Sequence, residues 1–356
     1  MPVEKKTCQD FTDLLEQLCS LRGVSGQEQE VAKWVYERLK KSDPDYLHAD
    51  NMGNIYATRR GQGKALHLML VAHLDEVGGI VSEVCENGTL RFRTVGCVNA
   101  ATLPSIRVRV GDLPAAVSAP PAHMQGGAIN PDDLVIDIGA RSREEALKMG
   151  AQIGVQVTFD TPFTRLTERR VCSRVIDDRV GCAVLLKLFE DLDFTPAGDV
   201  TVAFSVREET TMTGAAMLVE QVRPDWVIAI DTVPIRMSSS GNALIDIGYG
   251  PVFQLMEGVM SAFVGNAAHI GVKKALMQAG DTANVPYQLC AEVGSWTTDG
   301  AALHAANGGT PSGYLSIPRR YAHSASELLD VTDAVNGIML LRQLIDNMAD
   351  VVLSII

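Results

Sequence analysis

The stretch that most narrows what this chain can fold into runs from Asp199 to Ala215, DVTVAFSVREETTMTGA, where an apolar run leads straight into two adjacent carboxylates. Val200, Thr201, Val202, Phe204 and Val206 supply the β-branched and aromatic side chains of a strand. The near absence of polar alternation predicts a strand covered on both faces, as in the parallel sheet of an α/β protein. A helix is expected next, from Gly214 to Val222. Open α/β sheets bind their ligands at the carboxyl ends of the strands, which is where Glu208 and Glu209 fall. Taken alone, such a pair reads as a solvated loop edge.

The pattern recurs. Ala65 to Ala72, ALHLMLVA, is a second covered strand, ending in His73-Leu74-Asp75-Glu76-Val77-Gly78. In extended backbone residues i and i+2 share a side, so Asp75 is placed to accept the second ring N–H of His73. Asp225 to Ile230 ends in Asp231, and a short strand over Gly313 to Ile317 precedes Pro318-Arg319-Arg320-Tyr321-Ala322-His323. Asp177 and Asp178 open the helix expected over Arg174 to Leu192. One aspartate is explained as a helix cap, and the second is spare. Parallel strands would bring His73, Glu208, Glu209, Asp231 and His323 to one edge, with Asp177 beside them. Histidines and carboxylates without thiolate suit two zinc, cobalt or manganese ions, since a single open catalytic zinc keeps three protein ligands. A carboxylate left uncoordinated would serve as general base.

Between these regions the character changes. Gly79 to Phe163 carries short alternating strands (Gly79 to Val84, Thr89 to Val95, Ser105 to Val110, Gly154 to Phe159) and Pro114, Pro120, Pro121 and Pro131. We therefore divide the chain into a catalytic domain over 1–78 and 164–356, interrupted by a β-rich insertion over 79–163. Helices are expected over Phe11 to Leu21, after a capping box of Ser25 and Glu28, over Ser142 to Met149 with a second box of Ser142 and Glu145, over Ile270 to Ala279, and from Leu328 to Ile356.

A net charge of -12 leaves no basic stripe for nucleic acid. No segment reaches the roughly 18 apolar residues of a membrane span, and the amino terminus lacks a signal-peptide run, so a cytoplasmic protein is expected. The seven cysteines are scattered without Cys-x-x-Cys spacing and are expected as buried, reduced thiols.

The ordered motifs HLDEVG (His73 to Gly78), DDRVG (Asp177 to Gly181), REET (Arg207 to Thr210), AIDT (Ala229 to Thr232) and SIPRRYAHS (Ser316 to Ser324) resemble those of metallopeptidase family forty-two. This is the glutamyl aminopeptidase family that includes the tetrahedral TET aminopeptidases. The resemblance implies a phosphorylase/hydrolase-like mixed sheet covered by helices, with a small PDZ-like β domain inserted for dimerisation. It implies hydrolysis of the first peptide bond of a peptide, two divalent ions per subunit, and homo-oligomers built from dimers, up to a tetrahedral dodecamer. Carried over by position, His73, Asp231, Glu209 and His323 would each hold a single ion, and Asp177 would bridge the two. Glu208 would be the general base and Asp75 the residue orienting His73. This chain departs from the family where Thr297-Thr298-Asp299-Gly300 follows Trp296, in place of a Gly-Gly-Thr-Asp-Ala segment.

Three other readings compete. Glycoside hydrolysis by two carboxylates leaves the histidines and Asp177 without a task. A non-catalytic assembly subunit would not keep every ligand and the base. A di-metal deacylase or carboxypeptidase fits the HLDEVG and DDRVG motifs less well.

Overall fold

The computed structural model describes residues 5–118, 133–237, 243–262, 264–291 and 296–354. Its centre is four adjacent parallel strands in the order Val200–Ser205, Leu68–His73, Trp226–Pro234 and Ser312–Arg320. Register aligns Ser205 with His73 and Asp231 with Ser316, so the four carboxyl ends finish at a common edge. Antiparallel strands flank them: Tyr46–Ala49 and Ile55–Arg59 on one side, Glu327–Asp330, Arg170–Ser173 and Thr164–Arg165 on the other. Val252–Val259 branches from the Ser312–Arg320 strand and carries Val264–Ala267 and Gln288–Ala291. The result is a large mixed sheet.

Both faces of the central strands are covered, which is why their sequences lack alternation. Leu68, Leu70, Ala72, Val200, Val202 and Phe204 turn to one face, against the helices Lys5–Ser20, Gln29–Lys41, Ile176–Glu190, Ile270–Ala283 and Val331–Asp346. Met69, Val71 and Ala203 turn to the other, against Leu218 and Val219 of helix Thr213–Val222 and Leu303 of helix Asp299–Ala305. Fully burying each such aliphatic side chain is worth roughly 1.5–3 kcal/mol.

After His73 the chain leaves the sheet. Gly78–Val84, Leu90–Val95, Arg107–Val110, Leu113–Ser118, Val135–Asp137 and Gln156–Phe159 close into a barrel around a separate core that includes Val81, Leu90, Val108, Val117, Ile136 and Val157. Closure leaves no exposed strand edge. Gly78 sits where the barrel meets the sheet, and a Cβ there would come 2.6 Å from the Val157 carbonyl oxygen. The strands Leu113–Ser118 and Val135–Asp137 carry no strong sequence signal. Pro120, Pro121 and Pro131 lie outside the described residues.

Several local expectations are corrected. Ser25 and Glu28 form no capping box. Helix Gln29–Lys41 starts without a side-chain cap, because Glu28 Oε1 accepts the N–H groups of Gly26 at 2.6 Å and Arg207 at 3.2 Å. The second box fares differently: Ser142 Oγ accepts from the Glu145 N–H at 3.2 Å and caps helix Arg143–Met149. The expected helix from Leu328 begins only at Val331, since Glu327–Asp330 pairs as a strand with Arg170–Ser173 and the Asp330 side chain caps Thr332. Asp231 lies within its strand, which runs on to Pro234. All seven cysteines are free, but Cys97 is exposed and Cys85 and Cys172 are half-buried.

Candidate metal centre

His73 closes its strand and is only 2 % exposed. Its Nε2 lies 3.2 Å from Asp177 Oδ1, and 3.9 Å from both Glu208 Oε2 and Asp231 Oδ1. Its Nδ1 lies 3.2 Å from the backbone oxygen of Asp75 and 3.5 Å from Asp75 Oδ1. The Asp75 carboxylate accepts the N–H groups of Glu208 at 2.9 Å and Glu209 at 3.0 Å. It thus holds the glutamate turn as well as facing the histidine.

Asp177 and Asp178 sit in the irregular first turn of helix Ile176–Glu190, both with non-helical backbone angles. Asp178 caps the helix by accepting the Gly181 N–H at 2.9 Å, and its other oxygen receives the His73 N–H at 3.3 Å. A Cβ on Gly181 would come 2.3 Å from Asp178 Oδ2, so that position needs glycine. Asp177 is free to point elsewhere. Its Oδ2 lies 3.3 Å from His323 Nε2, and His323 Nε2 lies 3.6 Å from Glu209 Oε2. His323 reaches this place through a left-handed turn after Arg320, and Tyr321 and His323 both have positive φ.

Three overlapping groups thus have ligand atoms mutually within 4.8 Å: His73 with Asp177 and Asp231, His73 with Glu208 and Glu209, and Asp177 with Glu209 and His323. All six of these residues meet at one place, and Asp75 lies directly behind them. They line a cavity of about 440 Å³ together with Cys97, Met212, Trp296, Thr297 and Thr298.

Burying this much like charge has consequences. Burial, and then the negative charge of Asp231, Glu209 and Asp299, push the Glu208 carboxyl well above the usual range, although His73 opposes them. Burial and Asp177 do the same to Asp231, and burial pushes Glu209 up to about 7. Asp177 is held well below its ordinary value, despite burial, by Arg319, His323 and His73. Against burial, hydrogen bonds to Asp177 and Asp75 hold the His73 imidazole well above its ordinary value, and Asp177 and Glu209 raise His323 to about 9. The cluster is short of positive charge. Glu209 Oε1 is also buried without a hydrogen-bond partner. Hard and borderline donors, a deficit of cations and an unsatisfied carboxylate oxygen fit divalent metal ions.

Sequence reasoning missed a supporting layer. Arg319 Nη1 pairs with Glu327 Oε1 at 2.5 Å, and its Nε donates to Thr232 Oγ1 at 2.6 Å. Glu327 accepts the backbone N–H groups of Asp177 at 3.0 Å and His323 at 2.9 Å. Asp299, 3 % exposed, accepts from the hydroxyl of Ser205. Arg319 lies inside the SIPRRYAHS motif, but nothing local distinguishes it from a surface arginine.

A mixed sheet that delivers histidines and carboxylates from successive parallel strands to one buried cluster defines a metal-dependent α/β hydrolase. The chain belongs to the M42 glutamyl aminopeptidase family, whose model matches residues 53–340, and it is an aminopeptidase of that metallopeptidase family. It is 29 % identical over 347 residues to a lysyl aminopeptidase of Pyrococcus furiosus, covering 94 % of this chain and 97 % of the relative. Among solved structures, an aminopeptidase from the archaeon Desulfurococcus kamchatkensis superposes with a TM-score of 0.90 at 31 % identity, over 96 % of each chain. The Pyrococcus horikoshii TET1 peptidase, which assembles into a tetrahedron or a large octahedral shell, superposes with a TM-score of 0.83 at 26 % identity, over 94 % of this chain and 99 % of the other.

Proposed function

We propose that this chain is a two-metal aminopeptidase in which His73 and Asp231 hold one divalent ion, Glu209 and His323 hold the other, Asp177 bridges them and Glu208 is the general base. The observation that carries the reading is the division of Asp177, with Oδ1 at 3.2 Å from His73 and Oδ2 at 3.3 Å from His323. One carboxylate thereby belongs to two histidine-carboxylate groups. The adjacent glutamates separate in the same way. Glu209 approaches His323 at 3.6 Å, whereas Glu208 approaches His73 at 3.9 Å.

Bound ions would supply an acidified water and Lewis-acid polarisation of the scissile carbonyl. Glu208 takes the proton of the attacking water and returns it to the leaving amine, a task that favours a carboxyl with a raised pKa. Asp75 fixes the ring of His73 and the backbone of both glutamates. The acidic cavity also suits a substrate's free α-ammonium group, which would place the first peptide bond at Glu208. Zinc or cobalt match these donors best, with manganese as the alternative.

The finer features of the assembly belong to the same reading. The barrel over 79–163 is taken as a PDZ-like inserted domain used for dimerisation, between catalytic segments 1–78 and 164–356. The TET1 relative supports a homo-oligomer, and a cytoplasmic location fits a chain with no described helix long and apolar enough to cross a membrane. The test is a panel of aminoacyl chromogenic substrates assayed with zinc, cobalt and manganese beside Glu208→Gln. Equal turnover by wild type and variant on every substrate overturns the mechanism.

A further inference from the structure

Arg319 is 3 % exposed, yet it lines the cavity. One end of its guanidinium donates to Oδ2 of Asp177, the oxygen that faces His323, and not to Oδ1, which faces His73. The other nitrogens are committed to Glu327 Oε1 at 2.5 Å and to Thr232 Oγ1 at 2.6 Å. Thr232 adjoins Asp231, and Glu327 holds the backbone N–H groups of Asp177 and His323. The fork therefore has one orientation, fixed from three sides.

We propose that Arg319 is a positioning residue that makes the two metal sites unequal, weakening the ion held by Glu209 and His323 relative to the ion held by His73 and Asp231. This rests on the two-ion reading given above. An arginine cannot lose its proton in a protein, so its charge stands permanently beside one half of the bridging carboxylate. It occupies a lone-pair direction of Oδ2 and repels a dication there. The same charge lies farther from the Oδ1 side. Glu327 balances Arg319 and prevents it from swinging away when an ion arrives. The tighter ion would then be the permanent one, and the looser ion would exchange.

The test is a Co²⁺ titration of the full-length, metal-stripped chain, followed by visible absorption and checked by bound-metal analysis. The wild type should bind two ions in steps separated by more than about tenfold. His323→Ala should remove the weak step, and Asp231→Ala should leave a weak step in place. Arg319→Gln should tighten the weak step by about tenfold or more, while Arg319→Lys, which keeps the charge but not the fork, should leave the steps apart. Binding of a single ion by the wild type refutes the two-ion reading itself. Two equal steps in the wild type, loss of the strong step in His323→Ala, or unchanged steps in Arg319→Gln overturn the role of Arg319 alone. If Arg319→Gln does not fold, Arg319→Met carries the same test: the weak step should tighten, and unchanged steps overturn the role of Arg319.

Discussion

The backbone N–H of Glu208 donates to Asp75 Oδ1 at 2.9 Å, which ties the end of one parallel strand to the end of its neighbour. The Glu209 N–H donates to the second oxygen of the same carboxylate at 3.0 Å. Replacing Asp75 by Asn keeps the shape but presents an NH₂ group to one of those N–H donors. Asp75→Asn should lower kcat and metal affinity by about 10–100-fold, the usual cost of losing a group that supports metal ligands. Kinetics and metal analysis on the purified variant check this, and unchanged values in both would sink it.

Glu208 and Glu209 should respond differently to the same substitution. Glu208→Gln is expected to reduce kcat by about 10²–10⁴-fold and leave bound metal unchanged. Glu209→Gln should lose metal on dialysis as well as activity. If both variants lose metal equally, the two residues share one role.

Removing metal should also cost stability, because an ion that binds only the folded chain stabilises it by mass action. EDTA should abolish peptidase activity and lower the melting temperature. Excess Zn²⁺ or Co²⁺ should restore both, with about 2.7 kcal/mol per site returned at a hundred times the dissociation constant. A melting curve indifferent to chelator and metal would count against divalent ions at this cluster.

Stability should depend on pH through Glu257, a carboxyl raised from 4.5 to about 7 by burial, although the Thr298 and Thr297 hydroxyls oppose the shift. Its folded pKa lies above its unfolded one. Its contribution is therefore fully present below about 4.5 and is lost as pH rises through about 7. The loss is about 3 kcal/mol for a shift of this size. Glu257→Gln should therefore be more stable than wild type at about pH 8 and close to it at about pH 4.5, as measured by urea unfolding. Parallel curves for the two proteins would rule Glu257 out as the source.

Much of the centre was legible because its determinants are local. A covered parallel strand has an unmistakable composition, as in Leu68–His73, and the residue following it occupies the functional edge whatever the loop does. The strand ends were enough to nominate His73, the glutamate pair, Asp231 and His323. Residue patterning does not tell Asp178 from Asp177, since either can cap a helix; the choice of Asp177 rests on the family resemblance, and its physical reason is long-range, because Asp178 is occupied by the N–H groups of His73 and Gly181. The same limit hid Arg319 and Glu327, a buried pair whose meaning depends on long-range contacts. It also explains the false capping box, where Glu28 was drawn away by Arg207, which is remote in sequence. The weak strands of the barrel escaped notice because a closed sheet rewards ring closure more than the composition of any one strand.

The cluster of candidate metal ligands is collected from residues spread between 73 and 323, and its last contributors arrive on the Ser312–Arg320 strand and the turn after it. That strand docks against Trp226–Pro234, already the third of the parallel set. During synthesis the amino-terminal strands emerge first and can pair, but His323, Arg319 and Glu327 are still inside the ribosome. In a nascent chain the cluster of candidate ligands is therefore incomplete until this closing strand docks, and helix Val331–Asp346, which covers one face of the sheet, follows later still.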